Sequence, residues 1–200
     1  MSYRILKRII DVLGASAAIL IFLPFALFIA VAIKLDSPGP IFVKLERISN
    51  GKKISVYKFR SMIDGAHQIK TTLAYLNERK DGPFFKIKND PRLTRIGKII
   101  RKFRLDEFPQ FINVLKNELS LVGPRPHEPE EVAAFPENSQ HIADAKAGVT
   151  GLSQVNGASG LPFLKELELD DYYIKNQSFG LDFKIFLKTL VILFTDPTGV

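Results

Sequence analysis

The stretch Arg101-Lys102-Phe103-Arg104-Leu105-Asp106-Glu107-Phe108-Pro109-Gln110 holds the densest chemistry in the chain. Two adjacent acids, Asp106 and Glu107, stand just before a helix whose early residue is Pro109, and a basic segment runs straight into them. One reading is capping, because Asp favours N-cap positions and acids in a first turn complement the helix dipole. A second reading uses the same geometry for phosphate chemistry. A helix N-terminus attracts phosphate, a carboxylate pair can hold Mg²⁺ together with substrate phosphates, and an aspartate can be a nucleophile on phosphorus. Gly123-Pro124-Arg125-Pro126 fixes one arginine between two prolines. It is either a tight turn with an exposed Arg125 or a rigid mount that lowers the entropy lost when the planar fork meets a phosphate. In Tyr57-Lys58-Phe59-Arg60-Ser61-Met62, Lys58 and Arg60 alternate and share one strand face, set toward phosphate, lipid headgroups or solvent.

Other chemistries are excluded or unsupported. With no cysteine, the chain has no disulfide, no thiolate nucleophile and no Cys-ligated zinc. His67, His127 and His141 are scattered without metal-ligand spacing. Neither GxxxxGK[ST] nor GxGxxG occurs, so a P-loop or Rossmann site is not supported. The balance of 28 Lys+Arg against 21 Asp+Glu gives +7 and points to an anionic partner: nucleic acid, a phosphate-rich small molecule or an anionic membrane face. No nucleic-acid motif is present, and such a role leaves the hydrophobic N-terminal segment unexplained.

That segment, Val12 to Ile33, is 22 consecutive uncharged residues. As a straight helix it measures roughly 33 Å, enough for a bilayer core of about 30 Å. It is longer than the apolar part of a secretory signal peptide. Pro24 sits in its middle and removes a backbone donor, so a kink is expected there. Arg4, Lys7 and Arg8 precede the run, while Lys34, Lys44, Arg47, Lys52 and Lys53 follow it. The positive-inside rule places both flanks in the cytoplasm, which suits a helix that enters, bends and returns. A tilted, kinked single span remains the other reading.

The remainder reads as mainly helical α+β. Asp36-Ser37-Pro38-Gly39-Pro40 ends the apolar run with turn chemistry. Ile41–Val43 and Ile54–Phe59 read as short strands around Ser49-Asn50-Gly51-Lys52, a hairpin signal. The pattern predicts helices over Ile63–Glu78, Leu93–Phe103, Phe108–Leu115 and near Glu128–Phe135, with a short strand over Phe84–Ile87. A loop over Ala147–Pro162 precedes two last helices, Phe163–Lys175 and Leu181–Phe194. The final helix is strongly apolar but too short to span, and is read as core in preference to bilayer interface.

Taken together, the blocks resemble the bacterial sugar transferases, the monotopic polyprenyl-phosphate phosphoglycosyl transferases, in their small catalytic-domain form. The resemblance runs from Leu6-Lys7-Arg8-Ile9-Ile10-Asp11 to the last helix. It is carried by Ser37-Pro38-Gly39-Pro40-Ile41-Phe42, Tyr57–Met62, Lys86–Gly97, Leu105–Gln110, Ser120–Pro126, Gly148-Val149-Thr150-Gly151 and Gln154-Val155-Asn156-Gly157 in that order. It implies a re-entrant membrane helix over 1–36 with a kink at Pro24, and a catalytic domain over 37–200 with a short β-hairpin and interfacial helices. The domain would stand on the cytoplasmic face of the bacterial inner membrane. The implied reaction moves a phosphosugar from a UDP-sugar to polyprenyl (undecaprenyl) phosphate, yields UMP, and begins glycoconjugate assembly. By the same resemblance Asp106 is the nucleophile and Glu107 its partner in Mg²⁺ or proton handling, with the pair as the Mg²⁺ ligands, while Arg101, Arg125 and Lys58 meet phosphates; Arg60 joins the phosphate-binding set through the strand face it shares with Lys58. Membrane lipids are partners and nucleic acid is not; a homodimer is left open. The chain departs from the family pattern at Lys146-Ala147, Ala158, Leu45 and Ser49, which puts details of nucleotide or sugar binding in question. A reading from another class is a non-catalytic membrane-surface scaffold in which Asp106 and Glu107 only cap a helix.

Overall fold

Thirty-four consecutive residues, Tyr3–Asp36, form a single helix, α1, in the computed structural model, which describes residues 3–157 and 160–195. By length and composition α1 is able to cross a membrane. The helix runs through Pro24. Its contacts follow one stripe: Tyr3, Lys7, Asp11, Ala15, Phe22, Ala26, Ile29, Ile33 and Asp36 recur every three, four or seven residues and meet the rest of the chain. This is the spacing of one helix face. The opposite face leaves Leu13, Leu20, Leu27, Phe28, Val31 and Leu35 each more than half exposed.

Polar bonds fix the first half of the stripe. Asp11 is buried, and its carboxylate accepts from Ser120 Oγ at 2.9 and 3.0 Å and from the Leu121 N–H at 2.8 Å. Arg8 donates to the carbonyls of Val114 and Leu115, a cation at the C-terminus of helix α3 (Gln110–Leu115). Tyr3 and Lys7 donate to Asp182 of the last helix, α7 (Phe179–Thr195).

The hairpin forms where the sequence places it. Strands β1 (Phe42–Ser49) and β2 (Lys52–Phe59) pair antiparallel from Ser49↔Lys52 to Phe42↔Phe59. Both turn residues, Asn50 and Gly51, have positive φ (52° and 65°), as a twisted two-residue hairpin requires. The first strand extends well past Ile41–Val43, because its partner supplies a full ladder.

Other expectations need correction. Over Ile63–Glu78 the only helix is a 3₁₀ segment, Thr71–Leu76. Gly65, at φ 76°, turns the chain upstream of it, and no residue of the segment is buried, so no packed face sustains a longer helix. Phe84–Ile87 is not a strand. The Asn77 side chain accepts from the Lys86 N–H and donates to the Phe84 carbonyl, so a side chain replaces a neighbouring strand. Within the supposed loop 147–162, β4 (Gly148–Thr150) pairs parallel with β3 (Ser120–Val122), and a short helix, Leu152–Val155, follows. Helix α2 (Arg95–Lys102) starts from Thr94, whose Oγ1 accepts the Gly97 N–H. Helix α4 is Pro129–Ala133, the Leu152–Val155 helix is α5, and α6 is Phe163–Lys175, as its apolar spacing predicts. The last helix is core on one side only: Ile185 is buried with Leu181 and Ile192 beside it, while Phe183, Phe186, Leu187, Leu190 and Val191 are exposed.

Asp11 is the buried joint between α1 and the smaller sheet. Asp11→Ala is expected to strip acceptors from Ser120 and Leu121 and to lower stability by about 2–4 kcal/mol. Thermal melts of the detergent-solubilised chain read this as a clear drop in Tm; an unchanged Tm would mean the joint contributes nothing.

Candidate active site

Helix α2 ends at Lys102, and the chain reverses at Arg104, which adopts φ 54° and ψ 22°. A 3₁₀ turn, Leu105–Glu107, leads through Pro109 into α3. Such a turn repeats about every three residues, so Leu105 and Phe108 fall on one side. Both pack into the cluster of Ile33, Phe59 and Ile100, alongside Phe22, Ala26 and Ile29 of α1. The Phe108 ring stacks on Phe22 at 3.7 Å between centroids. Asp106 and Glu107 are thereby directed away from the apolar cluster and line a large cleft. Neither carboxylate caps a helix: the 3₁₀ turn and α3 both lack a side-chain cap bond.

The cleft encloses about 1030 Å³, and Lys58, Arg101, Arg104 and Arg125 line it with the two acids. Asp106 is only 6% exposed. Burial pushes its carboxyl above the ordinary aspartate range; the Lys58 ammonium opposes this and the Glu107 charge adds to it. Burial acts in the same sense on Glu107, but Lys58, Arg125 and Arg104 outweigh it and hold that carboxyl below the ordinary range. Lys58 Nζ donates to Glu107 Oε1 at 2.6 Å. Arg101 Nε donates to Ser61 Oγ at 2.9 Å. The Arg125 N–H donates to Asp170 at 3.3 Å, and its guanidinium has no hydrogen-bond partner among the described residues.

All six charged residues singled out from sequence therefore line the cleft. Arg60 differs from the other five in how its guanidinium is engaged. Strand β2 stops at Phe59, so strand alternation no longer governs Arg60. Its buried guanidinium donates to the carbonyls of Ser37, Pro38 and Pro40 and to Ser37 Oγ. It clamps the turn after α1. Of the departures from family pattern, Ser49 and Ala147 are buried structural positions, joined where Ser49 Oγ accepts the Ala147 N–H. Lys146 donates to Asn117, Leu45 lines the cleft, and Ala158 lies outside the described residues.

Two residues join the site that sequence reasoning passed over. Arg104 was one cation among several on a basic helix; its place directly before Leu105-Asp106 was the available signal. Asp170, mid-helix in α6, gave no signal. It is fully buried, accepts from Ser153 Oγ at 2.8 Å and from the Arg125 backbone, and so fixes the turn that carries Arg125.

Among the described residues no group of three or more His, Cys, Asp or Glu is placed to hold a metal. Asp106 and Glu107 offer two carboxylates. That donor set fits Mg²⁺ shared with substrate phosphates, since Mg²⁺ commonly takes one or two carboxylates and completes its shell elsewhere.

The site is thus a carboxylate pair among cations, on a turn that packs against the apolar helix α1. The model of the family described as bacterial sugar transferase matches residues 2–196, and the chain belongs to that family. It is 40% identical over 194 residues to the galactosyl transferase CpsE of Streptococcus agalactiae, covering 96% of this chain and 43% of that protein. It is 39% identical over 202 residues to the UDP-N-acetylgalactosamine-undecaprenyl-phosphate N-acetylgalactosaminephosphotransferase of Aeromonas hydrophila (96% and 44%). With the exopolysaccharide production protein PSS of Rhizobium leguminosarum it shares 39% over 208 residues, 98% of each chain. The chain thus spans less than half the length of the first two relatives and nearly all of the third.

Burial pushes the Asp170 carboxyl up to about 7. Its folded-state value lies above the unfolded one, so the native state holds a proton that the unfolded chain has released between about pH 4 and pH 7. Stability from this group is present at acid pH and is lost as pH rises through that window. The Tm difference between wild type and Asp170→Asn should therefore shrink, and then favour the variant, as pH rises from 5 to 7. A difference independent of pH would show that Asp170 does not titrate there.

Proposed function

We propose that the chain transfers a sugar phosphate from a UDP-sugar to polyprenyl phosphate and releases UMP. One observation carries this reading: the buried Asp106 sits in a cleft with Lys58, Arg101 and Arg125, while the turn that bears it rests on an apolar helix. A soluble phosphorylated donor and a lipid phosphate acceptor need such a site at the headgroup level.

In the proposed reaction, an Asp106 carboxylate oxygen attacks the sugar-linked phosphorus. The bond from that phosphorus to the bridging oxygen breaks, and UMP leaves with the oxygen and the electron pair. A phosphate oxygen of the polyprenyl phosphate then attacks the same phosphorus. The acyl phosphate bond breaks, which restores the Asp106 carboxylate and gives polyprenyl-diphosphate-sugar. Splitting one displacement into two is the benefit of covalent catalysis. Lys58 holds Glu107 in place, and Arg101 and Arg125 offer charge to the phosphate oxygens. Mg²⁺, held by Asp106 and Glu107 with the phosphates, would neutralise the charge that gathers there.

We further propose that α1 enters the membrane, bends at Pro24 and returns, leaving 37–200 as one catalytic unit on the cytoplasmic face. Contacts to the same domain at both ends of α1 support this, from Lys7 with Asp182 to Asp36 with the Ile96 N–H. The exposed apolar side of α7, with Ile99 and Phe103 near α2, suits the bilayer interface.

Asp106→Asn keeps the size of the side chain and removes the nucleophile. UMP release from UDP-sugars in the presence of undecaprenyl phosphate and Mg²⁺ is expected to fall by at least about 10³-fold. Equal release from both proteins would remove Asp106 from that role. The absence of cysteine permits a clean topology test: Arg4→Cys and Lys53→Cys, in otherwise unchanged chains, should both react with an impermeant maleimide from the same side of sealed vesicles. Labelling from opposite sides would establish a span.

A further inference from the structure

Four cations surround the Asp106–Glu107 pair, and two of them are already engaged by the protein. Lys58 donates to Glu107 and Arg101 to Ser61. Arg125 has a phosphate role through the family resemblance. Arg104 acts on Glu107 through its charge alone, and its guanidinium has no hydrogen-bond partner among the described residues. We propose that Arg104 is a phosphate-binding residue of the cleft and grips an oxyanion of a substrate beside Asp106. This deepens the transfer reading and rests on its phosphorylated substrates.

Three observations carry the proposal. Arg104 lines the same cleft as the two acids. Its Nε is buried without a hydrogen-bond partner, and no other guanidinium nitrogen of Arg104 finds one among the described residues. A buried donor without an acceptor is unfavourable until something fills the place. The backbone at Arg104 is left-handed, at φ 54° and ψ 22°, a conformation that glycine or asparagine adopts more readily. The turn itself would be better served by glycine, so what arginine adds is its side chain.

The chemistry of the ligand follows from the surroundings. The cations beside the acid pair favour an anionic group there. A guanidinium fork matches two oxygens of one phosphate. Glu107, the nearest carboxylate with a fixed partner, is already taken by Lys58. Two substrates bring such a phosphate, the donor diphosphate and the lipid acceptor, and the experiment separates them.

The test uses the full chain in nanodiscs with Mg²⁺ present, and compares wild type with Arg104→Gly and Arg104→Gln. Three quantities are read: Tm, the Kd for UDP, and the KM values for UDP-sugar and undecaprenyl phosphate in UMP release. Arg104→Gly relieves the left-handed backbone, so its Tm should equal or exceed that of wild type. If the donor diphosphate is the ligand, both variants weaken UDP binding and raise the UDP-sugar KM by about 10- to 100-fold. If the lipid phosphate is the ligand, UDP binding is unchanged and the undecaprenyl phosphate KM rises by a similar factor. The proposal is overturned if both variants keep the wild-type Kd and both KM values, or if weaker binding appears only together with a fall in Tm in both. A wild type that binds UDP but releases no UMP would sink the transfer reading alone, with Arg104 still judged by its effect on the UDP Kd. A wild type that binds neither ligand would sink both.

Discussion

A carboxylate taken out of water becomes a strong base and a costly charge, and Asp106 is one. The rest of the site can be understood as the response to that desolvation. Lys58 lies close enough to oppose the rise in the Asp106 carboxyl while bonding its neighbour Glu107. Arg101 adds to the same effect from the end of α2. Desolvation and the surrounding cations thus act against each other at Asp106, and the net result is a carboxyl held above the ordinary aspartate range.

Leu105 and Phe108 flank the two acids and pack into a cluster shared by α1, β2 and α2, to which α1 supplies Phe22, Ala26, Ile29 and Ile33. The apolar helix is thereby part of the support on which the acidic turn rests. A helix held by Asp11 at one end and by Ile33 and Asp36 at the other leaves its remaining face exposed as one apolar surface.

Much of this was legible in the residues. The hairpin followed from Asn50-Gly51 between β-prone runs, because turn chemistry is local. The Asp-Glu pair, the basic segment before it and the rigid Arg125 were legible because their types and spacing are chemically specific. What escaped depends on partners distant in sequence. Strands β3 and β4 are three residues each, too short to show alternation, and they meet across some 25 residues of intervening chain. That the Arg60 guanidinium is taken by the turn after α1 was not legible, because alternation says which face a residue takes but not where the strand stops. The 3₁₀ segment at Thr71–Leu76 carried enough apolar residues for a helix, yet nothing buries them. Arg104 was hidden by its own neighbours, since a run of cations does not say which one the chain will turn inward.

The Arg60 result exposes a principle that governs the site's turns. Proline stiffens a turn but contributes no donor, so a proline-rich turn leaves carbonyls that must be satisfied from outside. At Ser37–Pro40 the answer is Arg60, whose planar head serves three carbonyls at once. At Gly123–Pro126 the only N–H between the two prolines is that of Arg125, and it is taken by Asp170, while the Pro124 carbonyl accepts the Gly148 N–H from β4. Asp170, a side chain outside the cleft's lining, thus decides where the cleft's Arg125 stands. The rigidity of these turns is shared with buried charges on other elements, and for that reason Asp170 and Arg60 belong to the functional architecture although neither touches a reacting atom.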